Sequence, residues 1–290
     1  MASFAVAAIA KNEARYVEEW AAFHLLAGAG SVRVYDNGST DGTVDALRRL
    51  GRTAPVEAVE WPTRNGDFNG TQKAAYQDAA ERCRGAVDFV ALIDIDEFLC
   101  ADGGMDVAEA LDGFGPGVGA VACQQVLFGS SGADAATAEP VIARFTRSAP
   151  EDYPGHRWFK TIARPDLLQS VETVHSVRTG GSYVFADGSP LDRPDGNPRM
   201  ASRVCRGPIR LHHYIVKSRE EFARKQARML AADLPESVLK GYTDEVAGFD
   251  ARDRNINAVE NLDLARHAGA VRRRMRGFGA ASPAPAASPG

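Results

Sequence analysis

Short apolar runs alternate with amphipathic stretches through the first hundred residues. The predicted strands are FAVAAIA (4–10), SVRVYD (31–36), VEAVEW (56–61) and an apolar run that begins at 87. Between them, apolar residues recur at helical spacing near 13–27, after Asp41, which is a candidate N-cap, and near 70–84. Short strands that alternate with helices are typical of a mostly parallel sheet with helices on both faces. The pattern therefore predicts an α/β fold.

The second half of the chain has a different pattern. A helix at 106–113 and a strand at 118–128 are followed by shorter extended pieces, at 141–147, 157–164, 171–177, 182–186 and 209–216. We expect these pieces to join the sheet as antiparallel strands. A helix is predicted over 218–234, where Ser218 and Glu221 form a capping box.

We predict a single domain over residues 1–276, and further helical pieces lead up to its end. The remaining residues, 277–290, are rich in Pro, Ala and Ser, a composition that cannot build a packed core. We expect them to form a disordered tail.

Composition limits the kinds of partner, metal site and cellular location that we expect for this protein. The net charge of −4 argues against a protein whose main partner is nucleic acid. The four cysteines are widely spaced, which gives neither a zinc knuckle nor a disulfide framework. The first apolar run lacks a preceding basic residue, and no run approaches the roughly 18–20 residues of a membrane span. We expect a cytoplasmic protein, which could work beside a membrane.

Three carboxylates follow the fourth predicted strand: Asp94, Asp96 and Glu97. In an extended chain, residues two apart point to the same face, so Asp94 and Asp96 would project side by side. Two carboxylates so close are unfavourable unless one is protonated or a cation lies between them. A site made only of oxygen ligands favours Mg²⁺ or Mn²⁺ as that cation. Taken alone, the segment is better interpreted as an acidic loop after a core strand.

Polar side chains also follow the first two predicted strands. Lys11, Asn12 and Glu13 come after the first strand, and Asp36 and Asn37 end the second. Ligands of open parallel α/β sheets bind outside the carboxyl ends of the strands, so these residues are expected to meet the acidic cluster at one rim. The string DNGSTDG is also typical of an ordinary strand-to-helix turn.

Taken together, KNEARYVEEWAAFH, VYDNGSTDGT and LIDIDEFL resemble nucleotide-sugar glycosyltransferases of the GT-A fold, in the family 2 superfamily. The D-x-D-E-F form, WFKTIARP (158–165) and IRLHHYIVKSREEFARKQAR (209–228) are similar to its family-92-like branch. The resemblance implies a Rossmann-like fold, with a nucleotide-sugar-binding half over 1–100, an acceptor-side half over 101–217 and C-terminal helices over 218–276.

The resemblance also implies roles for individual residues. The nucleotide-sugar set comprises Lys11, Asn12, Glu13, Asp36, Asn37, Asp94, Lys160 and Lys217. The metal set comprises Asp94, Asp96 and His213, with His175 as the competing histidine and Glu97 expected to brace the loop. As catalytic base, the chain offers Glu151 and Asp152, although flanking prolines are also typical of a plain loop.

The function implied is Mn²⁺- or Mg²⁺-dependent transfer of a hexose, with inversion. The donor would be a nucleotide-diphosphate sugar, with UDP favoured, and the acceptor a saccharide, lipid or protein. One alternative is a catalytically inactive sugar-nucleotide-binding or scaffold protein of the same fold. Another is a nucleotidyltransferase, which usually carries a Gly-rich loop after the first strand, and KNEARY lacks these glycines.

Overall fold

The computed structural model describes residues 1–63, 66–101, 104, 106–194, 197–231 and 248–279. The strands are β1 Phe4–Ala10, β2 Ser31–Asp36, β3 Val56–Glu60, β4 Phe89–Leu92, β5 Glu97–Ala101, β6 Val118–Leu127, β7 Arg147–Ser148, β8 Phe159–Ala163, β9 Leu168–Val171, β10 Val177–Thr179, β11 Ser182–Phe185, β12 Ile209–His213 and β13 Val259–Glu260. The helices are α1 Val17–Leu26, α2 Thr43–Leu50, α3 Phe68–Cys83, α4 Val107–Asp112, α5 Val141–Arg144, α6 Arg219–Ala231, α7 Phe249–Ile256 and α8 Ala268–Gly279.

One large sheet organises the molecule, in the order β3-β2-β1-β4-β8-β6-β12-β5, with β11 paired to β6. The first four strands of this order run parallel to one another. Their connections are the helices predicted from the apolar spacing. The predicted α/β class, a mostly parallel sheet with helices on both faces, is confirmed.

β1 shows why the sheet must be covered on both sides. Its seven residues are all buried. Phe4, Val6 and Ala8 belong to a core with α1 and α2, whereas Ala5 and Ala7 face a second core with α3. Alternate residues of a strand point to opposite faces, so burial on both faces requires a continuous apolar run.

The second half of the chain joins the sheet less regularly than expected. β8 pairs antiparallel with both β4 and β6, as predicted. β11 instead runs parallel to β6, so the expectation of an antiparallel strand is wrong for it, whereas β12 runs parallel to β6 but antiparallel to β5. The segment predicted as extended at 141–147 is mostly α5, because the backbone N–H groups of Val141 and Ile142 are bound by the buried carboxylate of Glu19, as at a helix N-terminus.

Helix α6 begins with the capping box predicted from the sequence. The Ser218 Oγ accepts from the Glu221 backbone N–H at 3.2 Å, and Glu221 Oε2 accepts from the Ser218 backbone N–H at 3.1 Å. The same carboxylate forms a two-fold ion pair with Arg144, at 2.8 Å for each bond, and accepts from the Tyr16 hydroxyl at 2.9 Å. The first turn of α6 is therefore fixed to both α5 and the segment before α1.

Two smaller expectations are revised. The N-cap of α2 is Gly42, in a left-handed conformation, whereas Asp41 accepts from the Thr43 and Ala14 backbone N–H groups. α8 continues to Gly279, three residues into the predicted tail, and residues 280–290 lie outside the described residues. Within the described part of the chain, no helix has both the length and the apolar character of a membrane span.

Removal of the buried carboxylate at the start of α6 should strongly destabilise the fold. We expect Glu221→Ala to lower the free energy of unfolding by about 3–5 kcal/mol, because Arg144 would keep a buried charge without a partner. The matched control is Glu220→Ala, one residue away, whose partly exposed pair with Arg224 should contribute about 1 kcal/mol or less. Urea unfolding measures both. Equal losses for the two variants would contradict the assignment.

Candidate active site

The three acidic residues lie in the tight turn between β4 and β5. The chain leaves β4 at Leu92, turns at Ile95 and Asp96, and enters β5 at Glu97. The prediction that Asp94 and Asp96 extend side by side from one strand face is therefore wrong. The turn separates the two carboxylates, and each has its own set of partners.

Asp94 is held by α3 and β8. Its Oδ1 accepts from Gln72 Nε2 at 2.9 Å and from the Tyr76 hydroxyl at 3.0 Å. Its Oδ2 pairs with Lys160 Nζ at 2.8 Å. Three donors thus occupy this carboxylate, which favours Asp96 over Asp94 as a direct metal ligand.

Lys160 is one of the largest fully buried side chains of the protein, with 1% of its surface exposed. Its ammonium also donates to the Val174 carbonyl at 3.2 Å. Burial alone would lower the pKa of Lys160, but the carboxylate of Asp94 holds it above its usual value. In turn, Lys160 outweighs the effect of burial on Asp94 and lowers the pKa of that carboxyl. Lys160 therefore acts on the site by balancing the charge of Asp94.

Asp96 points to a different set of cations. Its Oδ2 lies 2.8 Å from Lys225 Nζ on α6 and 4.0 Å from Lys217 Nζ. Its Oδ1 lies 3.5 Å from His213 Nε2, at the end of β12. Burial opposes ionisation, yet Lys225, together with Lys217, holds the pKa of Asp96 well below its usual value. This carboxylate remains an anion in the folded protein.

Glu97 braces the turn, as expected. Its Oε2 accepts from the Asp94 backbone N–H at 2.8 Å, and its carbonyl accepts from Trp20 Nε1 at 2.8 Å. Only 2% of the residue is exposed. Burial raises the pKa of Glu97 to about 7, against the opposite pull of Lys160.

The two histidines of β12 face opposite sides, as strand alternation predicts. His213 reaches Asp96, and its Nδ1 contacts Gln125 Oε1 at 2.7 Å. His212 packs on the ring of Phe128, and burial lowers its pKa to about 4. His175 lies on the Asp94 side of the turn, with its Nδ1 against the Phe159 carbonyl at 2.9 Å. Of the three, His213 is the histidine beside Asp96.

The donor atoms near Asp96 are compatible with a divalent ion. Asp96 Oδ1 and His213 Nε2 lie 3.5 Å apart and are the two side-chain atoms that would hold such an ion. Within the described ranges, no group of three or more His, Cys, Asp or Glu side chains forms a ready metal cluster. Two protein ligands suit an ion whose other positions are filled by phosphate oxygens and water.

The rim beside this turn is built from the ends of β1 and β2. Asn12 adopts a left-handed conformation, with φ of 58°, and its Oδ1 accepts from the Thr40 backbone N–H at 2.8 Å. Asn37 Oδ1 accepts from the Thr63 backbone N–H at 2.6 Å. Both side chains therefore shape the loops, rather than offering these oxygens to a ligand.

Asp36 is the exception at this rim. Its Oδ2 accepts from the Gly38 and Ser39 backbone N–H groups, each at 3.1 Å. Its Oδ1 is buried and has no hydrogen-bond partner among the described residues. A buried carboxylate oxygen without a donor is costly, so this atom suits a donor group on a bound ligand.

Helix α6 connects the two ends of the site. Arg228 binds the backbone carbonyl of Asn12 and lies 3.2 Å from Glu13 Oε1. Lys217, just before the helix, has a φ of 57° and places its ammonium 4.7 Å from the centre of the Tyr16 ring. Burial lowers the pKa of Lys217, although Asp96 opposes this change. Lys11 is exposed at the same rim.

The predicted base candidates lie beside the site. Glu151 forms an ion pair with Arg206, and Asp152 is exposed. Glu151 lines a cavity of about 380 Å³ together with Gln125, the residue whose side chain contacts His213. Within the described residues, no hydrogen bond or ion pair links either carboxylate to Asp96.

Several residues of the site were not predicted as such from the sequence. They are Gln72, Tyr76, Gln125 and Lys225. Gln125 had a detectable signal, since two glutamines interrupt the otherwise apolar strand VGAVACQQVL. Gln72 and Tyr76 are one helical turn apart on α3, but nothing in the sequence indicates that this face meets Asp94.

Comparison with known sequences identifies a family. The family described as Glycosyltransferase family 92 matches residues 3–181. A family 92 protein of Oryza sativa subsp. japonica is 29% identical over 86% of this chain and 40% of its own length. One from Ricinus communis is 26% identical over 83% of this chain and 41% of its own. The chain thus spans about two-fifths of these relatives.

Solved structures give weaker matches. Glucosyl-3-phosphoglycerate synthase from Mycobacterium tuberculosis, in complex with Mn²⁺, UDP and glucosyl-3-phosphoglycerate, is 21% identical and has a TM-score of 0.31. The alignment covers 43% of this chain and 44% of that one. The same enzyme with Mn²⁺ and UDP-glucose gives 20% identity and a TM-score of 0.31.

The stability of the metal-free protein should reflect the burial of Glu97. Its pKa rises from 4.5 to about 7 on folding, so the folded state holds a proton that the unfolded state releases between these values. The contribution of Glu97 to the free energy of unfolding therefore falls as the pH rises from 4.5 to about 7, by up to about 3 kcal/mol. In Glu97→Gln, we expect the free energy of unfolding to fall less between pH 5 and pH 8 than it does in the wild type. Urea unfolding across this range tests it, with exposed Glu81→Gln as control; parallel curves for wild type and Glu97→Gln would contradict it.

Proposed function

The chain belongs to glycosyltransferase family 92, and on that premise we propose that it transfers a hexose from a nucleotide-diphosphate sugar with the help of a divalent ion. The observation that carries this proposal is the contrast between two polar atoms at one rim. Asp36 Oδ1 is a buried acceptor that no described residue supplies with a donor, and Asp96 Oδ1 faces the His213 ring across 3.5 Å. One suits a nucleoside and the other a cation.

Asp36 is proposed to receive the nucleoside. Its second oxygen is fixed by two backbone N–H groups, so the free oxygen has a defined direction. A base N–H or ribose hydroxyl would supply the missing hydrogen bond. Lys11, Asn12, Glu13 and Asn37 would form the walls of this part of the site, with Asn12 and Asn37 acting through the loops that they hold.

Asp96 and His213 are proposed to hold Mn²⁺ or Mg²⁺. When bound, the ion would stabilise the negative charge that builds on the diphosphate leaving group. Lys217 and Lys225 surround the same carboxylate. These ammonium groups place positive charge where the phosphates would lie. They supply electrostatic stabilisation that is already organised before the donor arrives.

Asp94 is proposed to contact the ribose or a metal-bound water, without binding the ion directly. Its orientation depends on Gln72, Tyr76 and Lys160, which together fill both of its oxygens. Lys160 would act on the donor through Asp94, since its own ammonium is buried.

The acceptor is proposed to enter from the side of Gln125, where the cavity of about 380 Å³ opens. Inverting transfer needs a carboxylate that takes the proton of the attacking hydroxyl. Asp152 and Glu151 remain the candidates. Glu151 is paired with Arg206, whereas Asp152 is exposed. The acceptor class and a cytoplasmic location are likewise predictions.

Release of nucleoside diphosphate tests the proposed activity. The protein is incubated with UDP-, GDP- and TDP-hexoses and MnCl₂, and we expect one donor class to release its nucleotide. Removal of the metal with EDTA should abolish release, and Mn²⁺ should restore it. Asp96→Asn should lower the rate by at least about 100-fold, because the developing charge loses its stabilisation.

Asp45→Asn, on the exposed surface of α2, is the matched control for the same assay. Activity that survives EDTA, or an unchanged rate in Asp96→Asn, would refute metal-dependent transfer. Donor binding without any release would favour an inactive sugar-nucleotide-binding protein.

The role of Asp36 is tested by binding rather than by turnover. We expect Asp36→Ala to weaken the affinity for the donor nucleotide by about 10- to 100-fold, the usual value of a hydrogen bond to a charged group. Isothermal titration with the nucleotide in the presence of Mn²⁺ measures it, and Asp45→Ala serves as control. An affinity within two-fold of wild type would place the nucleoside elsewhere.

A further inference from the structure

Gln125 connects the His213 ring to the segment that borders the cavity. It lies on β6, opposite Leu211 of the parallel neighbour β12, so its side chain points to the same face as that of His213. Its Oε1 contacts His213 Nδ1 at 2.7 Å, and its Nε2 donates to the Gly155 carbonyl at 2.9 Å. Both ends of this amide are therefore engaged.

The Gly155 carbonyl fixes the orientation of the amide. A carbonyl oxygen can only accept, so the NH₂ end of Gln125 must face it and the oxygen must face the histidine. Gly155 is itself held closely: a Cβ there would lie 2.5 Å from the Tyr153 ring and 3.0 Å from Leu127. The backbone that orients Gln125 has little freedom to move.

The orientation of Gln125 determines which nitrogen of His213 carries the proton. An acceptor oxygen 2.7 Å from Nδ1 requires a hydrogen on that nitrogen. In a neutral ring, the Nε2 lone pair then faces Asp96 Oδ1 at 3.5 Å. Two acceptors face each other there, an arrangement that a cation between them would satisfy.

We propose that Gln125 is a positioning residue that holds neutral His213 in its Nδ1–H form, so that Nε2 is available as a metal ligand. Without Gln125, the ring could carry its proton on Nε2 and donate it to Asp96, which would tie the two ligands to each other. This inference rests on the proposed function for its metal, but the state of the ring can be measured without any metal.

The tautomer is measured in the metal-free protein by ¹⁵N NMR of labelled histidine at pH 8, where an ordinary imidazole is neutral. We expect the Nδ1–H pattern for His213 in the wild type and the Nε2–H pattern in Gln125→Met. An Nε2–H ring in the wild type, or no change in Gln125→Met, would overturn the inference.

The matched control is Gln124→Met, the neighbouring glutamine. Its amide binds the Arg203 carbonyl and the Cys205 backbone N–H, so it shares the strand without touching His213. We expect this variant to keep the wild-type tautomer. Thermal unfolding of both variants shows whether each is folded at the temperature of the measurement. If Gln124→Met changed the tautomer as much as Gln125→Met, the change would reflect a general disturbance of β6. That result would overturn the inference.

The consequence for metal binding is measured by EPR titration with Mn²⁺ alone. We expect Gln125→Met to weaken Mn²⁺ binding by about 10- to 100-fold, as loss of a ligand-orienting partner usually does, and Gln124→Met to leave it unchanged. Equal affinities in wild type and Gln125→Met would overturn the inference. If the wild-type protein showed the expected tautomer but bound no Mn²⁺, the inference about Gln125 would stand. The proposed metal dependence of the activity would then be refuted.

Discussion

The site depends on the way in which the acidic turn after β4 is neutralised. Asp94 and Asp96 are only two positions apart, and two partly buried anions so close would be unfavourable together. The turn directs them to different lysines, Lys160 on β8 and Lys225 on α6. A buried charge that loses its partner is costly, so these pairs constrain the surrounding structure as much as they serve the site.

Those partners come from distant parts of the sequence. Lys225 is 129 positions from Asp96, and Arg228 is 216 positions from the Asn12 carbonyl that it binds. The rim proposed to receive the nucleotide and the acidic turn are formed by the first hundred residues, but their charges are balanced only when β8, β12 and α6 are in place. The family match reaches residue 181, so α6 lies beyond it. The site therefore requires the second half of the chain, although its acidic motif lies in the first.

The sequence predicts the first half well because each of its signals is local. β1 reads as an apolar run since both of its faces are buried, and the capping box of α6 involves residues three positions apart. The errors arise where a distant contact decides the structure. α5 depends on Glu19, which lies more than a hundred residues away. The direction of β11 depends on the partner strand β6, which strand propensity does not specify.

The charges of α6 show why part of the site could not be predicted. Glu221, Lys225 and Arg228 recur at spacings of four and three, so they share one face of the helix. Such a stripe on an isolated helix is typical of a solvated surface, and the sequence alone favours that interpretation for most of its members. The buried pair between Glu221 and Arg144 fixes the rotation of the helix, and this rotation turns Lys225 and Arg228 toward Asp96 and the loop after β1. The buried carboxylate of Glu221 thus determines that this stripe faces the candidate active site.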